Sequence, residues 1–219
     1  AVAVDGAGCA YVTGFTTNDE SLELHFPVLV GPDTSFNGVV DTFVTKVRTD
    51  GTGYVYSGFI GGLQSDYGHA IAVDASGNAY VAGKCFTADG SFPAVVGPDL
   101  TFNGVCDAFV AKVNAAGSGL VYCGFIGGSE MDIPYGIAVD GAGCAYVAGQ
   151  TFSTETTFPV AVSHADNTAR SVPTKFNPDT SRAVKIPSSP SLVLLSPDIV
   201  RLAPVNANPD RKSGLSRSS

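Results

Sequence analysis

The residues best suited to chemistry are carboxylates that return in phase. Asp5, Asp74 and Asp140 close the phrases AVAVD, AIAVD and GIAVD; Asp33 and Asp99 share GPD; Asp41 and Asp107 open DTFVTKV and DAFVAKV; Asp66 and Asp132 sit in short acidic linkers. Recurring carboxylates suit a hard cation such as Ca2+, which takes several oxygen ligands converging on one point. None of these segments has the D-x-D-x-D-G density of a dedicated calcium loop. An Asp ahead of a Gly-containing turn also has a purely local use, because its side chain accepts from N–H groups two residues on. Turn formation is therefore the favoured reading, with Ca2+ as the chemical alternative and no other cofactor expected.

Other reactive side chains form no catalytic constellation. His25, His69 and His164 occupy unrelated positions and make no ligand pair at metal spacing. G-x-S-x-G, the phosphate-binding Walker loop and H-E-x-x-H are all missing from the sequence. Tyr11, Tyr80 and Tyr146 recur at one position. Their simplest role is core or interblade packing, though exposed tyrosines there would suit sugar stacking. Of five cysteines, Cys85 closes one strand pattern and Cys106 immediately precedes the next, and their counterparts Thr16 and Val40 are both non-cysteine. Antiparallel pairing of those strands would bring the two to one end, so a Cys85–Cys106 disulfide is expected, leaving Cys9, Cys123 and Cys144 with an odd thiol.

These residues are positioned by an internal repeat, which decides the architecture. GYVYSGFIGGLQSDYGHAIAVDASGNAYVAG at 53–83 returns as GLVYCGFIGGSEMDIPYGIAVDGAGCAYVAG at 119–149, and its second half opens the chain as AVAVDGAGCAYVTG. Between copies, GPDTSFNGVVDTFVTKV at 31–47 returns as GPDLTFNGVCDAFVAKV at 97–113. Asp41 to Asp107, Asp74 to Asp140 and Phe92 to Phe158 are each 66 residues apart, whereas Asp5 to Asp74 spans 69 because the first connection is longer. Short β-branched and aromatic runs bounded by Gly-rich turns predict four sequential antiparallel strands per repeat. That is an all-β chain of β-propeller blades. The strands read as nearly continuous apolar runs, as expected of a blade covered on both faces. The blades fall at 1–66, 67–132 and, in partial or degenerate form, 133–196. In the last, KFNPDTSRAVKI at 175–186 and SLVLLS at 191–196 echo the third and fourth strand phrases. A disordered, basic, Pro/Ser-rich tail is expected over 197–219.

GxAVDxxGNAYVAG, the FP and FNGxxDAFVAKV phrases and the LVYxGFIGG closing strand resemble the SBBP family of β-propeller repeats across residues 1–162. Cys9 and Cys144 depart from it, standing where the second repeat has Asn78. The resemblance implies a blade fold and an exported, secreted or cell-surface protein of bacterial or archaeal type; it carries no catalytic motif.

Charge and length bound the partners. Residues 1–162 hold 4 Lys and Arg against 16 Asp and Glu, and residues 163–219 hold 8 against 4. So acidic a body argues against a nucleic-acid groove, and no apolar run is long enough for a membrane helix. Two full blades and an incomplete third leave the ring open, whereas propellers close with about four to eight. The chain is expected to be a homo-oligomer or filament joined through its open blade ends, or part of a longer propeller, and it begins inside a strand pattern as a fragment would. A non-enzymatic structural, adhesive or self-assembling module is the leading expectation. A glycan-binding, lectin-like propeller, with Tyr11, Tyr80, Tyr146, Asp66 and Asp132 as ligand or interblade positions, is the alternative. An enzyme on the same scaffold comes third.

Overall fold

The structure is a computed structural model and describes residues 1–17, 26–154, 156–158 and 182–186. His25, Pro159, His164, the 191–196 phrase and the 197–219 tail lie outside the described residues. Eleven strands are present among the described residues, and no helix. The first antiparallel sheet runs β1 (Val2–Val4), β2 (Ala10–Thr16), β3 (Asp41–Val47) and β4 (Tyr54–Ile60) in sequential order. The second repeats it with β5 (Asp66–Val73), β6 (Ala79–Cys85), β7 (Asp107–Val113) and β8 (Leu120–Ile126). In the third, β10 (Ala145–Thr151) lies between β9 (Asp132–Val139) and β11 (Arg182–Ile186). None of the sheets closes on itself; each has the build of a propeller blade, and together they form an incomplete propeller-like array.

Register shows that the repeat is structural as well as textual. Tyr11 pairs with Lys46, Tyr80 with Lys112 and Tyr146 with Lys185. Strand β11 therefore takes the place that β3 and β7 hold in their sheets, although the connection before it is longer: Lys185 follows Tyr146 by 39 residues, where Lys46 follows Tyr11 by 35 and Lys112 follows Tyr80 by 32. The first hairpin of each blade is closed by a turn whose glycine has positive φ: Gly8 at 84°, Gly77 at 82° and Gly143 at 79°. That backbone conformation is cheap only without a Cβ.

The blades stack face to face. Tyr11, Val44, Tyr56 and Ile60 of the first blade meet Ile71, Val81, Phe109, Ala111 and Val113 of the second. The opposite face of the second, with Tyr80, Val110, Tyr122 and Ile126, meets Ala145, Val147 and Phe158 of the third. Every residue of β7 is consequently buried, whereas β3 keeps three half-buried positions. Successive side chains point to opposite faces of a strand, so only a blade covered on both sides can be apolar throughout. The first strands β1, β5 and β9 approach one another along one edge of the array.

Candidate functional site

The recurring carboxylates separate into two structural kinds. In the first, Asp5, Asp74 and Asp140 cap the β1–β2, β5–β6 and β9–β10 turns. Asp74 Oδ1 accepts from the N–H groups of Ser76 and Asn78, both at 2.9 Å. Asp5 does the same with Ala7 and Cys9, and Asp140 with Ala142 and Cys144. The other oxygen receives a tyrosine hydroxyl: Tyr11 on Asp5 at 3.0 Å, Tyr80 on Asp74 at 2.9 Å, Tyr146 on Asp140 at 3.0 Å. Lys46 and Lys112 complete the first two units, 3.3 and 3.5 Å from the same oxygens and over the tyrosine rings. The Cys9 N–H, the Tyr11 hydroxyl and Lys46 hold Asp5 below the usual carboxylate range, against a smaller upward push from burial. Burial pushes Asp74 up more strongly, yet Asn78, Tyr80 and Lys112 together leave it below its ordinary value.

These tyrosines are junction pieces. Tyr11 and Tyr80 are fully buried, and their hydroxyls also lie 3.2 Å from Gly77 O and Gly143 O, the turn carbonyls of the next blade. Burial, followed by the adjacent carboxylate, pushes both phenols up, which keeps their protons in place for these contacts. Asp33 and Asp99 are local turn-formers as well, each accepting from an N–H two residues on and from the Asn37 or Asn103 side chain. His69 Nδ1 lies 2.9 Å from Pro134 O, joining β5 to β9 at the axial edge of the blades.

The second kind is buried and paired. Isolated parallel bridges join Val40 to Ser65 and Cys106 to Met131, with Asp66 N–H donating to Val40 O and Asp132 N–H to Cys106 O, both at 2.7 Å. One residue further on, Asp41 therefore stands beside Asp66, and Asp107 beside Asp132. All four are buried. Each Oδ2 is well served. Asp41 accepts from Asn37 N at 2.9 Å and Asp107 from Asn103 N at 2.8 Å. Asp66 accepts from Gly62 N and the Thr87 hydroxyl, and Asp132 from Gly128 N and the Ser153 hydroxyl, at 2.8 and 2.9 Å in both cases. Each Oδ1, by contrast, has no partner within hydrogen-bond distance and angle among the described residues; the Gly38 N–H and the Cys85 thiol lie close enough to act on Asp41 and Asp66 without completing such a bond. Burial pushes Asp41 and Asp107 up to about 6, with the neighbouring Asp66 and Asp132 adding to the shift. An unpartnered buried carboxylate oxygen costs free energy, and here that cost recurs four times.

Glycine frames these pairs. A side chain at Gly38 would collide with the carbonyl oxygens of Gly62 and Gln64 and with Asp41 Oδ1. One at Gly104 would meet those of Gly128 and Glu130 and Asp107 Oδ1. Among the described residues no group of three or more His, Cys, Asp or Glu side chains is placed to hold a metal. Only two carboxylates meet at each junction, so any cation there would draw on main-chain oxygens.

The expected Cys85–Cys106 disulfide is not formed; all five cysteines are free thiols. The register gives the reason. Cys85 lies opposite Asp107, so Cys106, one residue earlier, projects to the other face. Cys85 Sγ instead accepts from Thr87 N at 3.3 Å, while the Cys106 thiol lies 4.0 Å from Asp132 O. Burial raises both, Cys106 to about 12 despite Lys84 nearby, so neither supplies the thiolate that disulfide exchange requires.

The sequence shows all nine carboxylates of the recurring set but not which of them meet. The usable signal was the 66-residue return of both Asp41 and Asp66, each opening a strand at the same end of its blade. Residues 59–84, covering the end of β4 through Lys84 of β6, match the family model SBBP, a beta-propeller repeat. No curated protein matches the chain. The match is to one β-propeller repeat, and the same phrases and register recur in the flanking blades.

Proposed function

We propose that this protein is an exported, non-enzymatic propeller module that works by joining further blades at the cell surface, through copies of itself or through the rest of a longer propeller. One observation carries the reading. Val2 and Val4 of the first blade are 66% and 62% exposed, whereas Ile71, the same repeat position as Val2, is 7% exposed because the first blade covers it. The first blade thus presents the face that the second blade buries, and a further blade of the same repeat is the surface shaped to cover it. A head-to-tail contact of this kind closes a ring or propagates as a filament, according to the rotation per copy. Burial of the Tyr11 and Tyr80 rings between blades removes them from any sugar-stacking surface, so the self-docking reading is preferred to a lectin-like one. Light scattering coupled to size exclusion tests it: the chain should elute as a dimer or larger, and Val2→Asp with Val4→Asp should return it to the monomer while preserving its strand signature. A well-folded monomer of 22.3 kDa that binds no hydrophobic dye overturns self-association.

A further inference from the structure

We infer that each blade junction is a calcium-binding site, one formed by Asp41 and Asp66 with the carbonyl oxygens of Gly62 and Gln64, the other by Asp107 and Asp132 with those of Gly128 and Glu130. Four features point to a cation. Two carboxylates are brought together by a parallel bridge and sealed from solvent. One oxygen of each lacks a hydrogen-bonded donor, although the other accepts from an N–H in all four and also from a hydroxyl in Asp66 and Asp132. Two main-chain carbonyls crowd in beside Asp41 or Asp107 at a glycine, where any Cβ would fill the cradle. Asp33 and Asp99, close enough to act on Asp41 and Asp107, add to the negative potential.

The donor set chooses the ion. Carboxylate and carbonyl oxygens in a loose arrangement suit Ca2+, which takes six to eight oxygens at about 2.3–2.6 Å in flexible geometry. Mg2+ demands a near-ideal octahedron and keeps its own water. The two sites differ at their rims: Cys85 and Thr87 lie beside Asp66 where Thr151 and Ser153 lie beside Asp132. The second is thus the all-oxygen version. Duplication adds weight, since the unpartnered oxygens, the bridge and the glycine cradle occur together at both junctions.

Calcium chloride is titrated calorimetrically into the full chain after EDTA dialysis, at about pH 7.5 and up to about 10 mM, above the range where extracellular calcium modules saturate. Two saturable sites per chain are expected, with a calcium-dependent rise in melting temperature of about 5 °C or more that magnesium does not reproduce. Asp132→Asn should leave one site per chain, and Asp66→Asn, as the independent check at the other junction, should do the same. Fewer than two sites in the unaltered protein, a melting temperature indifferent to calcium, or a stoichiometry that both folded variants leave unchanged overturns the inference.

Discussion

The paired carboxylates make the stability of the array depend on pH in an unusual direction. Asp41 and Asp107 carry a folded-state value of about 6 against an ordinary 3.8. In metal-free buffer, the folded chain therefore binds protons that the unfolded chain has released between pH 4 and 6. A raised carboxyl contributes stability that is fully present below the unfolded value and is lost as pH rises through the folded one. Each unit corresponds to about 1.4 kcal/mol, so each junction loses about 2–3 kcal/mol between about pH 4 and pH 6.5. The protonated oxygen borders the same space as the Gly62 and Gln64 carbonyls at Asp41, and as those of Gly128 and Glu130 at Asp107, because a Cβ at Gly38 or Gly104 would meet all three atoms. Asp66, Asp33, Asp132 and Asp99 are the charged groups acting on these two, and all push in the same direction. Urea unfolding followed by far-ultraviolet circular dichroism in EDTA should give a midpoint higher at about pH 5 than at pH 7. Asp41→Asn with Asp107→Asn should flatten that slope, because an amide offers the same N–H donor at every pH. A stability that climbs steadily from pH 4.5 to 7, or a double variant retaining the full slope, refutes the reasoning. Calcium should abolish the acid advantage by replacing the proton, which ties this measurement to the proposed cation sites.

Two further substitutions probe the junctions independently. Tyr80→Phe removes the hydroxyl that lies 2.9 Å from Asp74 and 3.2 Å from Gly143 O, and should cost about 1–2 kcal/mol by urea denaturation; an unchanged midpoint would show that the ring alone holds the contact. Thr42 is fully buried with its hydroxyl unpartnered among the described residues, while its methyl packs against Gly68. Thr42→Val keeps the methyl and replaces the unpaired oxygen, so the melting temperature should rise by an amount equivalent to about 1 kcal/mol; a fall would mean the hydroxyl is bonded in solution.

The strands were legible because each is a short apolar run closed by a turn with its own chemistry, and because the phrases repeat. The turn aspartates were legible for the same reason: Asp74 bonds residues two and four positions on, so its role is written within six residues of sequence. What escaped is non-local. The pairing of Asp41 with Asp66 depends on a single parallel bridge from the loop before β3 to the residue before β5, 25 positions away. The Cys85–Cys106 expectation failed by one residue of register, since adjacent positions on a strand face opposite ways. Tyr80 was legible as a core or interblade position, but the contact of its hydroxyl with the Gly143 carbonyl in the next blade's turn is one that no local pattern announces.

The contrast between the two kinds of aspartate explains how one residue type can serve both folding and a site in the same repeat. Asp5 and Asp74 have both oxygens engaged, one by turn N–H groups and the other by a tyrosine hydroxyl and a lysine, and their charge is stabilised. Asp41, Asp66, Asp107 and Asp132 have one oxygen engaged and one withheld, with a second carboxylate alongside and no Lys or Arg ion pair among the described residues. A fold that wanted only turns would gain by replacing either member of such a pair with Asn, since the amide pairs where the carboxylate cannot. Keeping both acids, buried and adjacent, at two successive junctions makes sense where a proton or a divalent cation occupies the shared space. The blade interface is then held by apolar packing through Tyr11, Val44 and Ile71 over most of its area. At the Asp41–Asp66 end it is tuned by what the solvent supplies.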